Sequence, residues 1–415
     1  MSVPTINSVG TTHLLTWKEG ISIKVNRISS DSKHQVSGEL LVQARMPGVA
    51  APHLHQARLN MTSTTARNTL AKALTNRLES IPWSDILEQT CVKVLEAHRT
   101  GSPVLRLADI EDGVGIQWML KPVIQRRQTS VLFGDGDSGK SMIAAWWSVL
   151  LATGMPGPGL IPEPASGILV LDYETDEYTW RDRIVQICGG MEIAVPNNIH
   201  YRYSSTPVAN DVEDLADYVA NLDIDFILVD SAAPAVGEAS DSDDVNSFFR
   251  ALRALGRTNL VIAHVSKEGR QHEIFGSGFW RNMSRANYRA YASRSADSPD
   301  LGVVLKNTKG NNSKRLKDIV YAIHFDEEYN VINFKPGNVE DYAELDKTRS
   351  ISQRLSSALR PGAKTAAELA EELDADEGSI RTTLNRNKTQ FSTFKNDGQV
   401  YWGIAHREHS GVKDD

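Results

Sequence analysis

Residues 131–141 read VLFGDGDSGKS, and Gly134, Gly139, Lys140 and Ser141 in it satisfy the pattern G-x-x-x-x-G-K-[ST]. The pattern has a physical basis. Glycines let the backbone bend so that successive N–H groups face phosphate oxygens. The helix that follows points its positive end at the same anions. The lysine reaches the outer phosphates and the hydroxyl reaches a magnesium ion. The context agrees: an apolar strand-like run, 131–133, precedes the loop and a helical pattern, 142–151, follows it. Gly134, Gly136, Asp137, Ser138, Gly139, Lys140, Ser141 and Met142 are therefore the expected contacts of a nucleoside triphosphate, and ATP with Mg²⁺ the expected cofactors.

Working outward, short apolar runs at 130–133, 167–171, 226–229 and 260–263 alternate with helical patterns. Runs of this length, bounded by turn signals, fit strands buried on both faces of a parallel sheet. Runs at 302–305 and 319–325 extend the sheet, with an antiparallel sense open for them. The core is expected over 103–335. Before it, 1–102 reads as an α+β domain, with strand-like runs at 13–17, 21–28 and 38–44 and helical patterns at 63–78 and 83–98. After it, a polar linker is expected at 336–349, an ordered unit at 350–406 and a tail at 407–415.

Composition narrows the class. The 415 residues exceed one ordinary core, so two to four domains are expected. A net charge of −7 argues against a basic, histone-like binder, although local patches decide nucleic-acid contact. Two distant cysteines, Cys91 and Cys188, form no disulfide framework and no cysteine zinc site. No apolar run approaches ~18 residues and no signal-peptide pattern opens the chain, so no membrane contact is expected and the reducing cytoplasm is the expected compartment.

Triphosphate chemistry also needs carboxylates. Phe226-Ile-Leu-Val-Asp230 is an apolar strand ending in an acid, which suits Asp230 to a Mg²⁺ shared with Ser141. The strand at 167–172 ends in Asp172-Tyr-Glu174, where Glu174 is the expected base for water and Asp172 its rival.

These pieces, in this order, resemble the RecA-like ATPases and, within them, the RepA-type hexameric helicases, over roughly 115–330. Trp118-Met-Leu-Lys-Pro, Asp172-Tyr-Glu174 and Asp230 carry the resemblance, with Leu260-Val-Ile-Ala-His264-Val-Ser-Lys267 and Gly276-Ser-Gly-Phe-Trp-Arg281-Asn-Met-Ser-Arg285. It implies a RecA-like, mostly parallel core with Lys140 and Glu174 catalytic. It also implies His264 as a γ-phosphate sensor and Arg285 as a finger supplied in trans, with Arg281 the alternative. Lys306-Asn-Thr-Lys309 resembles a basic stretch found late in such cores, open to a nucleotide, a nucleic-acid or a plain structural role. The acidic run at 237–244 departs from the pattern: it lies where many relatives send a loop toward DNA, and would repel phosphates. Lys267 and Arg270 are the better strand contacts.

The C-terminal unit resembles a winged helix. Thr365-Ala-Ala-Glu368 is a capping box, 379–388 a basic second helix, and Asn396-Asp-Gly398 a hairpin turn. Arg381, Arg386 and Lys388 would face duplex DNA, or the unit would dock protein. The resemblance thus implies a homo-oligomeric ring, a hexamer, that hydrolyses ATP as a DNA helicase on single strands, in replication or recombination of a replicon or mobile element. Two alternatives share the core: an ATP-switched DNA-binding assembly or regulatory protein, and a recombinase-like filament.

Overall fold

The computed structural model describes residues 2–9, 12–32, 34–47, 49, 51–100, 106–109, 115–239, 241–265, 274, 279–294, 300–310, 316–346, 348–396 and 398–405. The N-terminal strands β1 (Thr5–Val9), β2 (Thr12–Thr16), β3 (Ile21–Ser30), β4 (Val36–Ala44) and β5 (His53–Asn60) form an antiparallel meander in that order. Strict alternation in β4 puts Val36, Leu40, Val42 and Ala44 on one face. Helices α1 (Thr64–Thr75) and α2 (Trp83–Thr100) cover that face with Leu70, Leu74, Trp83, Ile86 and Leu87. The Ser63 side chain accepts the Ala66 N–H and so fixes the start of α1.

The core adds β6 (Trp118–Lys121), β7 (Ile124–Gln125), β8 (Thr129–Gly134), α3 (Lys140–Thr153), β9 (Ile161–Pro162), β10 (Ile168–Asp172), α4 (Glu177–Gly190), β11 (Ile199–Tyr203), α5 (Val208–Asn221), β12 (Phe226–Asp230), α6 (Ala232–Val236), α7 (Ser242–Leu255), β13 (Thr258–His264), α8 (Phe279–Met283), β14 (Ala286–Arg294), β15 (Leu301–Gly310), β16 (Ile319–Asp326) and β17 (Val331–Pro336). Nine of these strands form one sheet in the order β11-β10-β12-β13-β8-β14-β15-β16-β17. The first six run parallel and the last three add antiparallel. The expected α/β core, mostly parallel and RecA-like, is therefore present, beside a separate N-terminal sheet domain.

Both faces of this sheet are covered, which explains the unbroken apolar runs. In β8, Leu132 faces the layer of α3 and α4, while Val131 and Phe133 face that of α5, α6 and α7. On the first side Trp146 stacks on Phe334, centroids 4.3 Å apart, and meets Tyr321 edge-on at 5.1 Å. Each such pair adds about 0.5–1.5 kcal/mol beyond its buried area, so α3, the helix behind the phosphate loop, is anchored to the antiparallel end of the sheet. The N-terminal sheet reaches α5 through polar contacts: Lys24 Nζ lies 2.7 Å and Asn26 Nδ2 3.0 Å from Asp217 Oδ2, and Arg27 lies 3.2 Å from Asp214.

The polar segment after β17, read as a linker, holds a short helix, α9 (Ala343–Asp346), and lays Tyr342 and Leu345 on Val304. Beyond it, α10 (Ile351–Ala358), β18 (Lys364–Thr365), α11 (Ala366–Glu372), α12 (Glu377–Arg386), β19 (Phe391–Asn396) and β20 (Gln399–Ile404) enclose a core of Leu355, Leu369, Ile380, Leu384, Phe391 and Trp402. Its three strands order as β18-β20-β19, and the Thr365–Glu368 capping box is formed reciprocally. The tail at 407–415 lies outside the described residues.

Candidate nucleotide site

The phosphate loop leaves the C-terminal end of β8, where the parallel strands deliver their last residues to one edge of the sheet. Sequence dictates its shape at two glycines. A Cβ on Gly134 would lie 2.5 Å from the Ala290 carbonyl oxygen, so only glycine lets β14 approach. Gly139 has φ +73° and opens α3 with no side-chain cap, which leaves the first helical N–H groups to an anion. Inside the loop, Lys140 Nζ donates to the Asp135 carbonyl (2.6 Å) and to Ser138 Oγ (3.1 Å), and Ser138 Oγ donates to the same carbonyl (2.7 Å). Burial lowers the Lys140 pKa, and the nearby Asp230, Glu174, Asp135 and Asp137 oppose that. Gly136 and Asp137 are exposed at the loop crest, and Met142 packs against the core below it.

Strand register assembles the rest. Asp172 pairs with Asp230 across β10 and β12, and His264 pairs with Gly134 across β13 and β8. The two acids that sequence left as rivals have different surroundings. Asp172 is fully buried and accepts from the N–H groups of Glu174 (3.0 Å) and Thr175 (3.1 Å), from Thr175 Oγ1 (2.7 Å) and from the Tyr201 hydroxyl (3.0 Å). That turn presents Glu174, half-exposed, with Oε2 3.8 Å from His264 Nε2.

Asp230 is buried and its pKa is pushed up to about 6, first by desolvation and then by Glu174, against a hydrogen bond from Ser141. Its Oδ1 is buried without a partner. A buried carboxylate oxygen beside a serine hydroxyl is a donor set that suits a hard cation such as Mg²⁺, so these residues fit the ion.

Arg285 stands elsewhere. Its N–H donates to the Thr129 carbonyl and its Nε to Gln128 Oε1 (3.2 Å), at the beginning of β8. Gly134 ends that strand five residues on, about 17 Å away. Arg285 therefore faces away from its own phosphate loop. Arg281 is exposed on α8, and Lys309 Nζ gathers the carbonyls of Arg281 and Asn282 on that helix and of Ser284 just after it. Lys306 Nζ donates to the Thr348 carbonyl and lies 5.5 Å from the Tyr291 ring centroid. Both lysines of the late basic stretch thus have partners within the fold.

The acidic run also has a local role. Asp241 caps α7 by accepting the N–H groups of Asp243 and Asp244, and Asp244 accepts that of Glu238 (3.0 Å). Acids at a helix start complement its dipole. Lys267 and Arg270, expected as strand contacts, lie outside the described residues. Arg381, Arg386 and Lys388 are exposed on α12 and the turn after it, with Arg381 bridged to Glu377 at 2.6 Å.

One residue near the loop escaped sequence reasoning. Arg289 on β14 is nearly buried, 3.7 Å from Asp135 and stacked 4.5 Å over Tyr291. Its signal was the alternation of Ala286, Tyr288 and Ala290 with Asn287, Arg289 and Tyr291, the mark of a strand rather than a finger loop.

A parallel sheet whose one edge carries a phosphate loop, a buried acid, an exposed acid and a histidine has the donors and acceptors that a nucleoside triphosphate and its cation need. Residues 115–270 match the family model described as an AAA domain. Among solved structures, the chain is similar to a KaiC-like protein from the hyperthermophilic archaeon Pyrococcus horikoshii OT3. The identity is 14%, the TM-score 0.38, and the match covers 52% of this chain and 94% of that one. No curated protein matches by sequence. None of the helices among the described residues is long and apolar enough to cross a membrane.

Proposed function

We propose that the protein is a nucleic-acid-dependent ATPase motor, a ring-forming DNA helicase whose nucleotide sits between neighbouring protomers. The observation that carries this reading is the contact of Glu174 with His264 beside Gly134. It couples a base for the attacking water to a group that feels the γ-phosphate, at the start of the segment holding Lys267 and Arg270.

In this reading Lys140 orients the outer phosphates and the loop N–H groups cradle them. Ser141 and Asp230 would hold Mg²⁺, which when bound neutralises charge on the phosphate oxygens. Glu174 accepts the proton of water in line with the γ-phosphate. His264 loses a partner when that phosphate leaves and passes the change to the following segment, which grips a single strand. Arg285 is supplied by the next protomer, a role supported by its distance from its own loop. The C-terminal unit, read as a winged helix, offers Arg381, Arg386 and Lys388 to duplex DNA.

The test is ATP turnover with and without single-stranded DNA, followed by strand displacement on a forked duplex. Stimulation and displacement are expected. Turnover that ignores DNA, with no strand displaced, would leave an ATP-switched assembly protein in place of the motor.

A further inference from the structure

Beside Arg285 lies a cavity of about 250 Å³, between the start of β8, the end of α7 and α8. Arg127, Arg253, Arg257 and Arg285 line it, and no carboxylate does. Among the described residues, none of the four arginines has an ion pair. Lys309, which gathers carbonyls beside Arg285, has its pKa lowered by burial and further by Arg285 and Arg281, so the cationic surroundings extend past the cavity. Arg257 Nε is buried without a hydrogen-bond partner, a donor waiting for an acceptor. Helix-dipole complementarity explains Arg253, in the last turn of α7, but not arginines brought from the β7–β8 turn and the α8–β14 junction to the same cavity. Four cations around one hollow cost free energy that a polyanion would recover.

The choice of polyanion follows from shape and place. The protomer's own triphosphate is excluded, because its loop is at the other end of β8. A nucleic-acid strand is a poor fit, since strands are held by exposed aromatic platforms along a groove. The one aromatic here, Phe249, is 1% exposed. A compact, multiply charged group fits, and each copy of this chain carries one on its phosphate loop.

We propose that Arg253 and Arg257 join Arg285 in a guanidinium pocket that receives the triphosphate bound by a neighbouring copy of the chain. The proposal deepens the shared-site reading above and rests on it. Arg285 approaches the γ-phosphate, while Arg253 and Arg257 neutralise the remaining charge and hold the neighbour in register.

The test is the full-length double variant Arg253→Gln/Arg257→Gln beside Arg285→Ala. Read-outs are affinity for a fluorescent ATP analogue, turnover at saturating ATP, ATP-dependent sedimentation and the thermal midpoint. Analogue affinity measured on dilute, unassembled protein should stay within about twofold, since the protomer's own loop is intact, while turnover of the assembled protein falls at least tenfold. The ATP-dependent assembly should weaken, and Arg257→Lys in place of Gln should restore part of it. If turnover is unchanged in the double variant but falls in Arg285→Ala, the finger acts alone and this proposal is wrong. If neither variant lowers turnover, the shared-site reading fails with it. If the double variant instead loses affinity for single-stranded DNA, with DNA-free turnover unchanged, the pocket holds a strand and the proposal is overturned.

Discussion

Asp172 and Asp230 are register partners on adjacent parallel strands, and their carboxylates have opposite surroundings. Asp172 accepts four hydrogen bonds and builds the turn that carries Glu174. Asp230 keeps one oxygen without a partner, at the end of β12. One is spent on shape and the other is left for chemistry, at a cost in stability.

That cost is measurable. Burial pushes the Asp230 carboxyl up to about 6 from its ordinary value of 3.8. The stability from its protonation is fully present below pH 3.8 and is lost as pH rises through 6, so at pH 8 the buried charge costs about 3 kcal/mol. Without nucleotide and metal, Asp230→Asn should raise the denaturation midpoint at pH 8, and the gain should vanish toward pH 4. Turnover should be lost.

Asp172→Asn should act in the opposite direction. An amide cannot accept from all four donors, and each abandoned buried group costs about 1–3 kcal/mol. Chemical denaturation should show a loss of at least ~2 kcal/mol at pH 7, with Glu174 misplaced and turnover reduced.

Lys140→Ala should abolish turnover, since in the proposed mechanism the lysine is the loop's own cation toward the phosphates. A variant that still turns over would remove the phosphate-loop assignment itself.

Arg289→Lys keeps the charge near Asp135 but loses the planar stack on Tyr291. The expected outcome is a KM for ATP raised by about tenfold, roughly the ~1.4 kcal/mol of one modest contact, with kcat changed less. Steady-state kinetics at fixed DNA would check it.

Lys309→Met removes the ammonium that gathers the last carbonyls of α8. Arg285 lies two residues beyond the end of that helix. Turnover should fall while analogue affinity holds, because Arg285, the residue that Lys309 positions, lies about 17 Å from the protomer's own loop.

Much of the core was legible because both of its faces are covered. Strands such as Ile168-Leu-Val-Leu-Asp172 and Phe226-Ile-Leu-Val-Asp230 have no polar face, so their runs stand out. β11, Ile-His-Tyr-Arg-Tyr, escaped notice as a half-exposed edge strand that carries polar residues. β14 escaped because Asn287 and Arg289 interrupt it, although both are buried. The phosphate loop was legible from spacing alone. The approach of His264 to Glu174 was not, since it depends on strand order and register that no local pattern encodes.

The central claim is that one catalytic site is built from two protomers. It is tested most directly by mixing Glu174→Gln with Arg285→Ala and measuring ATP turnover. Each variant alone should be nearly inactive, and the mixture should recover activity at interfaces that pair an intact Glu174 with an intact Arg285. A mixture that assembles with ATP yet stays as inactive as its components would contradict the account.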